Sequence, residues 1–330
     1  MTSLVDAFGR TIEYVRLSVT EHCNYQCGYC MPEKLTHPCA EHFLSTVEIA
    51  RLIGLFSDMG VTKVRLTGGE PLIRKDIIHL SEQLGKLPEL TDLSLSTNAH
   101  LLSRMAKPLQ EAGVSRVNIS LDSLKAERFE KITGNGCLDK VLSGISAALD
   151  AGMYPVKLNM VVMRGVNDDE IEDMLAFAIE KGVQLRFIET MPIGHAGLQA
   201  MSQYYPVSKI LERVKAYVGR DLLPVTGGRG AGPARHYQIA SGPVKIGVIS
   251  AVSRHFCESC NRVRLTAKGD LVLCLGQEDK VSLLPILRAG ASDDDIKYAI
   301  RTAINQKPER HYFNEKPEHI ASRQMVTLGG

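Results

Sequence analysis

The sequence predicts an α/β chain whose parallel sheet forms an incomplete (β/α)6 TIM-like barrel, followed by a C-terminal extension that carries a β-hairpin and helices. Three observations lead there. Six short apolar runs alternate with amphipathic stretches, the pattern of parallel strands joined by right-handed crossovers. One side of nearly every run is polar, where a sheet covered on both faces should be almost wholly apolar. The βα rhythm stops near residue 215, so residues 216–330 form a second region after a barrel of residues 1–215. Six units fit an incomplete barrel or an open doubly wound sheet. They occupy too little chain for a complete eight-unit barrel.

The expected strands are residues 13–19, 61–67, 91–97, 114–121, 155–162 and 183–188. The first expected helix is residues 45–59. Ser45 and Glu48 there form a capping box, Ile49, Leu52, Ile53 and Phe56 recur at helical spacing, and Gly60 ends it. Further helices are expected at 75–84, 101–112 despite Pro108, 138–151 and 168–181. Residues 226–232, TGGRGAG, read as a flexible loop. Strands follow at 236–240 and 245–250, then a hairpin of 261–266 and 271–275 turning at Lys268-Gly269-Asp270, and helices at 282–288 and 293–304.

A chain of 330 residues with 44% hydrophobic and 23% charged residues buries a large core, as soluble enzymes do. A net charge of +2 exerts no general pull on nucleic acid or membrane, so neither is expected as a partner and any anion site must be local. The N-terminus has no apolar run long enough for a signal peptide, and no segment approaches 18 apolar residues. A cytoplasmic location is the default expectation, and in that compartment clustered cysteines point to metal or redox chemistry before disulfides.

Six of the eight cysteines form two incomplete sets. Cys23, Cys27 and Cys30 follow C-x3-C-x2-C just after the first strand. Structural zinc closes with four ligands, whereas three thiolates on one loop hold a 4Fe-4S cubane with one iron open to an outside ligand. A zinc site completed by His22 or His37 is the alternative. Cys257, Cys260 and Cys274 follow C-x2-C-x13-C, two on a loop and the third on the hairpin's return strand. A zinc ribbon completed by His255 competes there with a second open cluster. Cys39 and Cys137 match no motif.

The strands supply the charge. Arg16, Arg65, Lys157 and Arg186 fall on the polar faces, as do Ser94, Ser96, Asn98, Asn118, Ser120, Asp122 and Asn159. Turned inward, those faces make a cationic lumen. Buried unpaired cations are costly, so several converging ones imply an anionic ligand, and arginine matches phosphate geometry. A half-exposed sheet with solvated charges is the alternative. Arg262 and Arg264 repeat the alternation beside the second cysteine set, expected across the barrel mouth from the first.

With Tyr29 before its last cysteine, the first set resembles the signature of the radical S-adenosylmethionine (SAM) superfamily, whose open iron chelates SAM. In Thr67-Gly68-Gly69-Glu70-Pro71, at the end of the second strand, two glycines let the backbone approach a ligand closely, and the segment resembles that superfamily's segment for the methionine end of SAM, with Glu70 as an acceptor for its ammonium group. Cys257-x2-Cys260-Asn261-Arg262-Val263-Arg264, Arg16-Leu17-Ser18, Lys63-Val64-Arg65-Leu66, Leu185-Arg186-Phe187-Ile188-Glu189, Gly232-Pro233-Ala234 and the terminal Gly329-Gly330 extend the likeness through most of the chain. Together they are similar to the GTP 3′,8-cyclase family of molybdenum-cofactor biosynthesis.

That resemblance implies a lyase with two 4Fe-4S clusters and SAM as co-substrate. A radical derived from SAM would take hydrogen from ribose C3′ of GTP, and C3′ would then join guanine C8. SAM is implied to lie against Tyr29, Gly69, Ser120 and Met191. GTP is implied to contact Arg16, Arg65, Thr97, Lys157, Arg262, Val263 and Arg264, with Arg186 as a further triphosphate partner. The implied partners are a reductant protein such as flavodoxin or ferredoxin, and the next enzyme of the pathway, cyclic pyranopterin monophosphate synthase. Monomer and homodimer both fit. The competing readings are another radical SAM enzyme with an auxiliary 4Fe-4S cluster, and a zinc-bound structural or interaction protein.

Overall fold

The computed structural model describes residues 3–31, 42–225, 232–239, 245–254, 256–313 and 322–329. The six expected strands are present as β1 (Tyr14–Ser18), β2 (Lys63–Thr67), β3 (Asp92–Thr97), β4 (Arg116–Ser120), β5 (Val156–Val162) and β6 (Gln184–Glu189). Between them run α1 (Thr46–Asp58), α2 (Ile77–Gly85), α3 (Leu102–Glu111), α4 (Ala126–Thr133), α5 (Leu138–Asp150) and α6 (Ile171–Glu180). After β6 come α7 (Gly194–Ala200) and α8 (Val207–Val218).

The capping box of α1 is present: the Glu48 amide donates to Ser45 Oγ at 3.2 Å, and the Ser45 amide donates to Glu48 Oε2 at 2.7 Å. Pro108 sits inside α3 without ending it. The sequence reading does not include α4, α7 or α8. For α8 the signal existed, since buried Val207, Ile210 and Val214 recur at helical spacing.

The C-terminal region adds β7 (Leu222–Val225), β8 (Arg235–Ile239), β9 (Lys245–Ile249), β10 (Arg262–Leu265), β11 (Asp270–Val272) and β12 (Lys280–Ser282). Helices α9 (Leu284–Arg288), α10 (Asp293–Asn305) and α11 (Met325–Leu328) follow. A second capping box, Ser292 with Asp295, starts α10. The hairpin β10–β11 turns through Gly269 at φ +80°. Its return strand is shorter than expected and ends at Val272, so Cys274 lies on the loop beyond it. Of the expected 226–232 loop only Gly232 is among the described residues, and His37, Cys39, His255 and Gly330 lie outside them.

Among the described residues, the twelve strands belong to one sheet, in the order β12-β11-β10-β1-β2-β3-β4-β5-β6-β9-β8-β7. β10 pairs parallel to β1 at one end of the six-stranded unit, and β9 pairs parallel to β6 at the other. The two edges that an incomplete barrel leaves open are thus occupied by C-terminal strands, which removes the hazard of unpaired edges. This placement corrects one expectation. Arg262 and Arg264 do not lie across the barrel mouth from the first cysteine set; they ride on β10, directly beside β1.

The alternation of the six strands resolves as expected. Val15, Leu17, Val64, Leu66, Leu93, Leu95, Val117, Ile119, Leu158, Leu185 and Phe187 join one apolar core with the buried faces of the helices. The opposite, polar faces point away from that core into the lumen. No helix among the described residues is long and apolar enough to cross a membrane.

Candidate active site

The first cysteine loop is fastened to the end of β2 by backbone contacts. The Gly69 amide donates to the Thr20 carbonyl at 2.8 Å, and the Glu70 amide donates to the His22 carbonyl at 2.8 Å. This contact explains the double glycine. A Cβ on Gly69 would stand 2.0 Å from the His22 oxygen, and one on Gly68 would stand 2.5 Å from the Thr20 oxygen. The sequence reading assigned that close approach to a ligand; the structure assigns it first to the chain's own cysteine loop.

Gly69→Ala is therefore expected to cost about 1–3 kcal/mol through overpacking and to lower the iron retained by the first loop. Gly28→Ala, where an added methyl meets nothing within 4 Å, is expected to leave both unchanged. Thermal melts and iron assays read the difference, and equal behaviour of the two variants would reject the fastening role.

Glu70 is buried and accepts from the Leu72 amide, from Thr97 Oγ1 at 2.6 Å and from the Asn98 amide at 2.7 Å. Burial nevertheless outweighs those bonds and pushes its carboxyl up to about 7. Thr97 donates its one hydroxyl proton to Glu70 and accepts from the Ala99 amide, so it braces the carboxylate. Beside the cysteines, Tyr29 donates to Asp122 Oδ2 at 2.7 Å. Asp122 is buried, and burial raises its carboxyl to about 6. The thiols of this set are also raised, Cys23 to about 11 and Cys30 to about 12, first by burial and then by neighbouring acidic groups. Metal binding must displace those protons.

The strand registers put the cations in rows. Arg264, Arg16 and Arg65 lie side by side on β10, β1 and β2, and Arg262 stands opposite Tyr14 one pleat below. Arg16 is pushed down to about 10 by burial and by Arg65 and Arg262, and burial with neighbouring cations takes Arg186 down to about 9. Such shifts mark cations that an added anion would relieve. Gly247 on β9 lets Arg186 cross: a Cβ there would stand 2.8 Å from Arg186 Cγ. Arg186 also donates to Asn118 Oδ1 at 3.2 Å. Lys157 lies one pleat below Asn159 and, unlike the other expected substrate residues, does not reach the cavity wall.

Arg264 holds the C-terminal tail, donating to the carbonyls of Leu328 and Gly329 at 3.0 and 2.7 Å. Gly329 adopts φ +71°, and a Cβ on it would stand 2.4 Å from Thr67 Cγ2. The tail thus meets two residues of the cavity wall, Thr67 and Arg264, at a position where only glycine fits, which local sequence does not decide.

The second cysteine set lies at the other end of the strands. Cys257 and Cys260 precede β10, which runs parallel to β1, whereas Cys23, Cys27 and Cys30 follow β1. The arginine rows therefore stand between the two sets. Arg10 ties this second loop down, donating to the Cys257 carbonyl at 3.0 Å and to the carbonyls of Pro308 and Glu309 at 2.7 Å each. The guanidinium of Arg262 packs over the Phe256 ring, 5.1 Å from its centroid. Burial would raise the Cys260 thiol, but Arg262, Lys307 and Arg10 outweigh it and leave it lowered.

One cavity joins all of this. Both cysteine triads face it, with Tyr29, Gly69, Glu70, Ser120 and Met191 at one end. Arg16, Arg65, Thr97, Arg186, Arg262 and Arg264 line the middle. Val263 lines it too, although its side chain joins the apolar core and only its backbone is left to face inward. The sequence reading missed Glu189, Lys307, His311 and Phe313 as wall residues. Asn159 and Asp122 were legible as continuations of the polar alternation, but without a role.

Among the described residues, no three His, Cys, Asp or Glu side chains converge on a single-ion position. A cubane held at three separate iron corners does not need that convergence. Two all-thiol triads on one cavity thus fit iron–sulfur clusters.

Comparisons with known proteins agree. A family model for the Radical SAM superfamily matches residues 17–178, and one described as Molybdenum Cofactor Synthesis C matches residues 183–313. A GTP 3′,8-cyclase of Hydrogenovibrio crunogenus is 56% identical, the match covering 99% of this chain and 100% of the relative. One from Listeria monocytogenes is 46% identical, with all of both chains covered. Streptococcus suis SuiB bound to S-adenosylmethionine shares the fold at a TM-score of 0.63 and 15% identity, over 96% of this chain and 78% of that one.

Proposed function

This chain belongs to the GTP 3′,8-cyclase family of radical SAM enzymes, and on that premise we propose how its own residues divide the work. It is a lyase of molybdenum-cofactor biosynthesis that uses two 4Fe-4S clusters. It converts GTP and SAM to (8S)-3′,8-cyclo-7,8-dihydroguanosine 5′-triphosphate, 5′-deoxyadenosine and methionine, the pathway's first step. The observation that carries the residue assignment is that two thiol triads at opposite strand ends open onto one cavity, with the arginine rows between them.

In this reading Cys23, Cys27 and Cys30 hold the first cluster and Cys257, Cys260 and Cys274 the second. When bound, the first cluster with SAM supplies the one-electron cleavage that yields a hydrogen-abstracting radical. Tyr29, Gly69, Ser120 and Met191 orient SAM, and Glu70, braced by Thr97, holds that wall in shape. Arg16, Arg65, Arg262, Arg264 and Arg186, with Lys157 below them, neutralise and align the triphosphate, and Thr97 and the Val263 backbone complete the GTP contacts. Positioning of this kind lets C3′ meet guanine C8 in a site closed to water.

Residues 1–215 form the SAM-cleaving half in this scheme, and 216–330 the half that binds the second cluster. A cytoplasmic setting follows from the chemistry, with a flavodoxin or ferredoxin as electron donor and the cyclic pyranopterin monophosphate synthase as recipient of the product. Monomer and homodimer are both compatible.

Anaerobic reconstitution tests the reading: roughly eight irons per chain, and 5′-deoxyadenosine together with a cyclised nucleotide from GTP, SAM and dithionite. Stoichiometric zinc without sulfide, or 5′-deoxyadenosine with GTP unchanged, would overturn it.

Lys157 gives a pH signature. Burial, with Arg186, Arg116 and Arg65 nearby, pushes its ammonium down to about 6. Above that pH the free enzyme holds it neutral. A triphosphate held by the arginine rows above it raises that value, so binding takes up a proton and weakens as pH rises above 6. Calorimetry near pH 7.5 in two buffers of different ionisation enthalpy should show on the order of one proton taken up, and less by that amount in Lys157→Gln. Identical uptake in both proteins would remove Lys157 from the site.

A further inference from the structure

The two cysteine triads sit among buried groups of opposite sign. Near the first set, Glu70 and Asp122 are buried carboxylates. Around the second, the buried groups are Arg10, Arg264 and Lys307, with Arg262 beside Phe256. Arg10 is already neutralised by Asp6 at 2.6 Å, and Arg262 and Arg264 belong to the substrate rows.

Lys307 is different. It is 3% exposed, follows the C-terminus of α10, and faces the cavity. Its Nζ donates at 2.7 Å to the carbonyl of Leu273, the oxygen of the peptide unit that leads into Cys274. Among the described residues no carboxylate pairs with it. The negative end of α10 favours a cation, but that effect is small beside the penalty for burying an ammonium. An ammonium kept dry with one neutral acceptor needs an anion nearby, and the second thiolate set is the anion on offer: Lys307 lines the same cavity as Cys257, Cys260 and Cys274, and the carbonyl it holds leads into Cys274.

We infer that Lys307 is a positioning residue for the second cluster: it fixes the Cys274 limb through the Leu273 carbonyl and supplies the unpaired positive charge that stabilises the reduced cluster. The inference rests on the two-cluster reading above. A cation beside a cluster favours the state with one more electron, so the charge raises the reduction potential.

The test uses the full chain reconstituted anaerobically, as wild type, Lys307→Met and Lys307→Arg, with the midpoint potential of each cluster read by EPR-monitored redox titration. Lys307→Met is expected to lower the second potential and leave the first where it was, and Lys307→Arg to restore the second toward wild type. Assembly of only about four irons in Lys307→Met but about eight in Lys307→Arg would support the same conclusion, because charge is what the two active side chains share. An unmoved second potential in Lys307→Met overturns the inference. So does loss of the second cluster in both variants, which would make Lys307 a steric support. Wild-type chain with zinc, or with a single cluster, would instead defeat the two-cluster reading before any variant is made.

Discussion

Replacing Arg262 and Arg264 together by alanine is expected to abolish cyclised nucleotide while the first cluster still assembles. Both side chains line the cavity, and Arg264 shares a register row with Arg16 and Arg65. Arg264 is held well below its ordinary pKa by burial and then by Arg16 and Arg262, a state that an anionic substrate relieves. A charge-assisted hydrogen bond contributes about 1.5–3 kcal/mol, so losing two lowers kcat/KM by roughly two to four orders of magnitude. Arg264 also anchors the tail at Leu328 and Gly329. Arg262→Ala alone, which leaves that anchor intact, separates loss of substrate contact from loss of the tail. Steady-state kinetics with GTP reads both, and turnover within a few-fold of wild type in the double variant would exclude these arginines from the GTP site.

The second large effect divides the two cysteine sets. Cys27→Ala is expected to eliminate 5′-deoxyadenosine altogether, because SAM loses the cluster that cleaves it. Cys257→Ala is expected to keep the first cluster and some SAM cleavage but to yield no cyclised nucleotide. The separation follows from topology: one set follows β1 and the other precedes a strand parallel to it, so the two lie at opposite ends of the cavity. Iron should fall by about half in each variant. Cyclised product from Cys257→Ala at the wild-type rate would show the second set to be structural.

Much of this was legible in the chain. The six strands, the capping box of α1, both thiol triads and the polar alternation of Arg16, Arg65, Asn118 and Arg186 depend on spacing within a few residues. Local periodicity and backbone sterics decide them. Tyr29, Gly69 and the Cys257–Arg264 run were readable for the same reason, since motifs are local.

What escaped was non-local. No spacing rule tells that β10 adds to the free edge of β1, so the row Arg264–Arg16–Arg65 appears only once the sheet is assembled. Gly69 was read as an approach to a ligand because its true neighbour, the His22 carbonyl, lies on another strand's loop. Glu189 falls just past the expected strand 183–188 and, though part of the matching run Leu185–Glu189, carries no role in the sequence. In the fold it accepts from the amides of Val207, Val252 and Ser253 and so joins the barrel to the C-terminal region.

By itself, then, the amino-acid order determined which atoms are available: six clustered thiols, a run of strands with one polar side, and arginines in phase with it. Tertiary structure alone decided their partners. It stacked the arginines between the triads, brought Gly329 against Thr67, and left Lys307 dry beside Cys274. The physical reason is range. Backbone preference and side-chain periodicity act over one or two turns, whereas edge pairing, burial of charge and the sharing of a cavity depend on segments as far as 299 residues apart, and take effect only when the chain closes on itself.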